Sequence, residues 1–144
     1  MRVADILKTK TNTEVFSVRA SEPVSAVVRQ LREHGVGAIV VVDDQQGVIG
    51  IISERDVVAG LAGKGGEVLS LRVEELMSKP IYVCKPSDDL KDVMGWMTNY
   101  RIRHLPVVEG GRLRGMVSIG DVVKHRLSEV QTEANVLRDI ILAR

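Results

Sequence analysis

Cysteine occurs once in the 144 residues, at Cys84, which rules out an internal disulfide framework. Aromatic residues make up 3% of a chain that is 44% hydrophobic, so its core must be aliphatic. Neither charge dominates: 20 Lys and Arg face 19 Asp and Glu, a net of +1. No global field draws the chain to nucleic acid or an anionic membrane, and any anion site must be local. No run approaches the roughly 18 apolar residues of a membrane span, and the apolar part of MRVADILKTKTNTEV is too short for a signal peptide. A soluble, cytoplasmic protein is expected. Enzyme chemistry lacks its parts, since His34, His104 and His125 are far apart and no His-x-Cys metal signature exists. Gly63-Lys64-Gly65-Gly66 lacks the strand-loop-helix frame of a phosphate loop and reads as a flexible linker.

What the chain does have is a duplication. GIISERD (Gly50 to Asp56) returns as GMVSIGD (Gly115 to Asp121), with Ser53 to Ser118 and Asp56 to Asp121 both intervals of 65 residues. The lead-in recurs too, RVADIL (Arg2 to Leu7) matching RVEELM (Arg72 to Met77). Residues 1–66 form the first repeat with its lead-in and linker, 67–127 the second, and 128–144 a C-terminal helix. Two copies are too few for an open solenoid, so they are expected to pair about a pseudo-twofold axis.

Each copy alternates helical and strand periodicity. Val24, Val27, Val28 and Leu31 follow helical spacing, as do Leu90, Val93, Met94 and Met97, with Ser21 and Ser87 as expected N-caps. A hairpin follows in each copy: Ala38 to Val42 with Val48 to Ile52, and His104 to Val108 with Leu113 to Val117. The continuous apolar run AIVVV suits a strand covered on both faces. Short strands at Phe16 to Val18 and Ile81 to Val83, and a helix starting near Asp56 or Asp121, complete a β-α-β-β-α unit. The fold class is mixed α/β (α+β).

Ser-x-x-Asp at a strand-to-helix junction has two readings. The serine can cap the helix while the aspartate favours its positive end. Alternatively, a carboxylate accepts both hydroxyls of a ribose diol, with a hydroxyl beside it to hold ribose or phosphate oxygen. Retention of both groups in both copies, while Glu54-Arg55 becomes Ile119-Gly120 between them, favours the second.

With its strands VGAIVVV and IRHLPVV and its doubled G-apolar-apolar-S-x-x-D, the chain resembles a tandem pair of cystathionine-β-synthase (CBS) domains, the Bateman module. The resemblance covers about Val3 to Leu127 and is nearest to free-standing bacterial CBS-pair proteins. It implies a non-enzymatic energy sensor for AMP, ADP or ATP, with NAD(H) or S-adenosylmethionine as alternative ligands. A pure interaction module without ligand is the other class. No cofactor is implied beyond the sensed ligand.

Residue by residue, the resemblance implies two sites. In one, Asp121 holds the ribose, Ser118 the ribose or phosphate, and Met116 lies beside the base; Arg103 and His104 face phosphate, and Val36, Gly37 and Val27 close the slot. In the other, Asp56 and Ser53 hold the ribose, Ile51 runs along the base and Ile102 lies across. There Gly37 and Ala38 replace the basic pair, leaving Arg55 to supply charge. Trp96, between Met94 and Met97, reads as packing rather than base stacking. In the tail, Leu127, Val130, Ala134, Leu137 and Ile141 form a 3-4-3-4 seam too short to stand alone. The family's habit of forming homodimers, head-to-head or head-to-tail, suits that seam; the regulated protein is not legible.

Overall fold

In a computed structural model the chain is described at residues 1–10, 16–79 and 82–143. It is mixed α+β, and it divides into two compact units. Unit 1 is Met1–Thr13, Val83–Val108 and Gly115–Arg144; unit 2 is Glu14–Tyr82 and Glu109–Arg114.

Unit 2 is built on a three-stranded sheet. The central strand β2 (Ala38–Val42) pairs in parallel with β1 (Ser17–Arg19) and antiparallel with β3 (Val48–Ser53), with an irregularity at Val41/Val42. All five β2 residues are buried, as the unbroken apolar run required. Helix α2 (Val24–His34) lays Val27 and Leu31 on Val18, Ile39, Val41 and Ile52, and stops at Gly35, whose φ of 62° is the left-handed cap that glycine adopts without penalty. Helix α3 (Glu54–Lys64) leaves β3 directly. The expected flexible linker is helical: α3 extends to Lys64 and a 3-10 helix spans Gly65–Ser70, held by the fully buried Val68. Burial of that valine outweighs the poor helix propensity of four consecutive linker residues, three of them glycine.

The short helix α4 (Val73–Leu76), from the second lead-in, completes unit 2. Val73 is wholly buried among the residues just named. The backbone is stitched as well: Val24 N–H donates to Leu71 O (2.9 Å) and Val73 N–H to Glu22 O (2.8 Å).

Unit 1 mirrors this with the first lead-in. Helix α1 (Val3–Thr9) buries Val3 and Ile6 completely against Cys84, Leu90, Val93, Met97, Leu105, Val107, Val117 and Val122. Those residues come from α5 (Leu90–Tyr100), the hairpin strands β4 (His104–Glu109) and β5 (Arg112–Ser118), the first turn of α6 (Ile119–Leu142), and Cys84, which bridges Val107 in parallel. Leu90 N–H donates to Met1 O (3.1 Å) and Val3 N–H to Asp88 O (3.0 Å). Trp96 packs against this core, and burial pushes the Cys84 thiol up to about 12, which makes it inert as a nucleophile. The lead-ins are therefore crossed: each completes the repeat it does not precede.

Crossing explains the motif glycines. A Cβ at Gly115 would meet Leu7 Cδ2 at 2.8 Å, and one at Gly50 would meet Met77 Sδ at 2.5 Å, so each glycine admits the last apolar side chain of a lead-in. It also corrects the caps. Pro23 and Asp89, not Ser21 and Ser87, hold the N-cap positions of α2 and α5, and Asp89 accepts from Lys91 N–H. The expected strand at Ile81 to Val83 lies partly outside the described residues; just after it, Cys84 forms a parallel bridge with Val107. Finally, the tail is not a separate helix. It continues α6, 24 residues and about 36 Å long at 1.5 Å per residue, whose outer half exposes Leu127, Val130, Leu137 and Ile141.

Candidate ligand-binding site

Both copies of Ser-x-x-Asp sit at a strand-to-helix junction and form a complete capping box. Ser118 Oγ accepts from Asp121 N–H (3.1 Å) while Ser118 N–H donates to Asp121 Oδ2 (2.9 Å). In unit 2 Ser53 Oγ accepts from Asp56 N–H (3.4 Å), and Ser53 N–H donates to Asp56 Oδ2 (2.9 Å). The capping reading is thus realised twice.

The same junction also meets the chain just before the other strand of its hairpin. Ile119 N–H, the first donor of α6, binds Arg103 O at 2.8 Å; Glu54 N–H, the first donor of α3, binds Gly37 O at 3.0 Å. Arg103 and His104 are thereby brought beside Ser118 and Asp121, and Gly37 and Ala38 beside Ser53 and Asp56. Ala38 pairs directly with Ser53, and Val40 with Ile51. Arg103 is exposed and His104 half-buried. Arg101 just ahead is a non-glycine residue with φ of 55°, a left-handed turn that aims the chain into β4.

Asp121 is bound from outside its own turn as well. Lys10 Nζ lies 2.9 Å from Asp121 Oδ2 and donates to Met116 O at 2.7 Å. Burial pushes the Asp121 carboxyl up, but the hydrogen bonds from Ser118 N–H and the Lys10 ammonium outweigh it and hold the group below the usual carboxylate range. In unit 2 the matching contacts come from Ser78: its Oγ donates to Asp56 Oδ1 (3.1 Å), and its N–H donates to Ile51 O (2.8 Å). Neither Lys10 nor Ser78 was visible as a site residue in the sequence. Each follows a lead-in, and only the crossing brings it to the motif.

A sequence model of the CBS domain matches residues 3–63 and again residues 73–128. The chain belongs to the CBS domain family. It is 38% identical to a CBS-domain containing protein from Agrobacterium tumefaciens, covering 87% of this chain and 92% of that one with a TM-score of 0.81. A putative signal-transduction protein with CBS domains from Burkholderia ambifaria is 35% identical, covering 89% and 95% at a TM-score of 0.82. The mitochondrial CBS domain-containing protein CBSX3 of Arabidopsis thaliana is 33% identical over 91% of this chain and 67% of its own length. In a 33.4 kDa Thermofilum pendens protein, 40% identical over 99 residues, the chain spans 32% of the relative's length.

The remaining expected site residues divide between the CBS units. Met116 is half-buried on β5 in unit 1, and Ile102 packs against the unit 1 core with its N–H on Met97 O. Val36 and Val27 belong to unit 2, where Val27 is wholly buried in the core. Arg55 is exposed on the first turn of α3, beside Asp56.

Proposed function

We propose that this CBS pair is a regulatory sensor whose Asp121 motif binds the ribose and phosphate of an adenine nucleotide such as AMP, ADP or ATP, and passes its occupancy to a partner protein. The observation that carries the reading is the backbone hydrogen bond from Ile119 to Arg103, which holds the chain at Arg103 and His104 against the turn that carries the Asp121 carboxylate. Asp121 accepts from a diol, and Arg103 offers a planar fork to phosphate, with His104 beside it. At the Asp56 motif, Gly37 and Ala38 supply no charge and Arg55 stands alone.

S-adenosylmethionine is the second reading. A CBS pair of the same fold was solved with 5′-methylthioadenosine and S-adenosylmethionine, although at 22% identity the likeness concerns the fold alone. The cations around Asp121 disfavour a sulfonium and favour phosphate. NAD(H) shares the adenylate half and belongs in the same assay.

A thermal-shift panel of AMP, ADP, ATP, NADH, S-adenosylmethionine and adenosine tests the proposal, since a ligand at 100 times its Kd stabilises by about 2.7 kcal/mol. AMP should raise the melting temperature more than adenosine at equal concentration, and less so as salt increases. Arg103→Ala should weaken AMP binding while leaving adenosine nearly unchanged. An Arg103→Ala protein with wild-type AMP affinity would reduce Arg103 to a solvated edge residue.

The outer half of α6 suits a homodimer, because Leu127, Val130, Leu137 and Ile141 share one exposed stripe. Sedimentation velocity should show a dimer that Leu137→Asp dissociates. Wild type sedimenting as a monomer at tens of micromolar would remove that assignment.

A further inference from the structure

The segments that follow the two lead-ins meet the two motifs at the same pair of groups but with different chemistry, Ser78 at the Asp56 oxygen outside the capping box and Lys10 at the Asp121 oxygen that also accepts from Ser118 N–H. In each unit two acceptors are covered: the motif carboxylate, and the backbone carbonyl two residues before the motif serine. At Asp56 and Ile51 the covering groups are Ser78 Oγ, at 3.1 Å, and Ser78 N–H, at 2.8 Å. The second is a main-chain bond within an isolated antiparallel bridge between Ile51 and Ser78, so uncovering Ile51 O requires the chain to unpair. At Asp121 and Met116 a single ammonium does both jobs, with Lys10 Nζ 2.9 Å from Asp121 Oδ2 and 2.7 Å from Met116 O. The lysine is about one-third exposed and ends a flexible four-carbon stem, so it can swing away while its backbone stays at the C-cap of α1.

We propose that Lys10 is a removable internal competitor for the Asp121 motif: a nucleoside binds there by displacing its ammonium from the carboxylate and from the Met116 carbonyl, whereas at the Asp56 motif the matching carbonyl of Ile51 stays held in backbone pairing with Ser78. The proposal rests on the adenine-nucleotide reading above and adds a direction to it. Occupancy is felt first at the C-terminal end of α1, because the group expelled belongs to that helix cap. Thr9, the preceding residue, has Oγ1 2.9 Å from His125 Nε2, so two successive residues tie this end of α1 to α6. Releasing Lys10 removes one of those two ties. The ion pair also selects among ligands. A neutral nucleoside gains nothing from the displaced ammonium, whereas a phosphate can recapture it, so Lys10 taxes adenosine more than AMP.

Adenosine is the probe that isolates the competition. Titration calorimetry on wild type and Lys10→Met should show adenosine binding roughly three- to tenfold tighter to the variant, the range that a partly exposed ion pair with one charge-assisted hydrogen bond supplies. Lys10→Gln should behave likewise if the charge matters, and circular dichroism checks that both fold. A measurement without ligand runs in parallel: carbon NMR titration of the Asp121 carboxyl, whose midpoint should move up in Lys10→Met. An unmoved midpoint would show that the ammonium does not hold this carboxylate in solution and would overturn the proposal. A raised midpoint with equal or weaker adenosine binding would make Lys10 a structural pin and also overturn it, while the nucleotide reading survives. Failure of AMP and adenosine to bind either protein, with the midpoint raised, would sink the nucleotide reading and the competition with it.

Discussion

Ile6→Ala is expected to destabilise unit 1 by about 2–5 kcal/mol, the usual effect of emptying a fully buried isoleucine site in a close-packed core. Ile6 has no exposed surface, and its neighbours Val93, Met97, Leu105 and Val117 lie on α5, β4 and β5, elements that cannot move independently to fill the gap. What distinguishes this prediction is its address. The mutation falls in the segment preceding the first repeat, yet the damage should appear in the second. Native-state hydrogen exchange would read it residue by residue, with amides of Val93 and Leu105 losing protection before those of Val40 and Ile52. Loss appearing first in β2 and β3 would mean that the lead-ins are not crossed.

The second large effect concerns Asp121. Asp121→Ala removes the acceptor assigned to the ribose diol, and each charged hydrogen bond lost is worth about 1.5–3 kcal/mol, or roughly ten- to over a hundredfold in AMP affinity. It also removes the capping box and leaves Lys10 without its carboxylate, for a stability loss nearer 1 kcal/mol. Calorimetry and denaturant melts separate the two. Unchanged AMP affinity beside a lowered midpoint would leave Asp121 a helix cap and nothing more. Acidity supplies a further handle. The folded-state carboxyl is held below its ordinary range by Ser118 and Lys10 against the opposing effect of burial. Its contribution to stability is therefore present above the unfolded-state value and is lost as pH falls through the folded-state value. The stability gap between wild type and Asp121→Ala should narrow in acid and reopen toward neutral pH.

Much of this architecture is legible from local periodicity. Helices α2 and α5 begin at Val24 and Leu90 because their apolar residues recur at helical spacing, and β2 is buried throughout because AIVVV has no polar face. The capping errors are instructive. Ser21 and Ser87 look like caps, but the first N–H groups of both helices are taken by carbonyls just ahead of the opposite lead-ins, Leu71 O at Val24 and Met1 O at Leu90. A donor satisfied by a residue some 50 or 90 positions away leaves no local trace. The site divides in the same way. Ser118, Asp121, Arg103 and His104 are grouped by the family resemblance, and the hairpin that carries them keeps their backbones together. Lys10 is not grouped with them, since its role depends on which repeat its helix joins. The linker failed for a related reason: glycines signal flexibility only where nothing like Val68 anchors them.

The crossed lead-ins also set an order of events during synthesis. Unit 2 is nearly one continuous stretch, Glu14–Tyr82, so most of its partners leave the ribosome together. Helix α1 is translated before every element it packs against. Val93 trails Ile6 by 87 positions; at about 5–20 residues per second the helix waits roughly 4–17 s for it. Throughout that interval Val3 and Ile6 have no core to enter. This apolar segment therefore stays without its fold longer than those of unit 2, a natural stopping place for a chaperone that grips short aliphatic helices. Slow codons placed between the repeats would lengthen the exposure, whereas moving α1 to a position after Leu142 by circular permutation would abolish it.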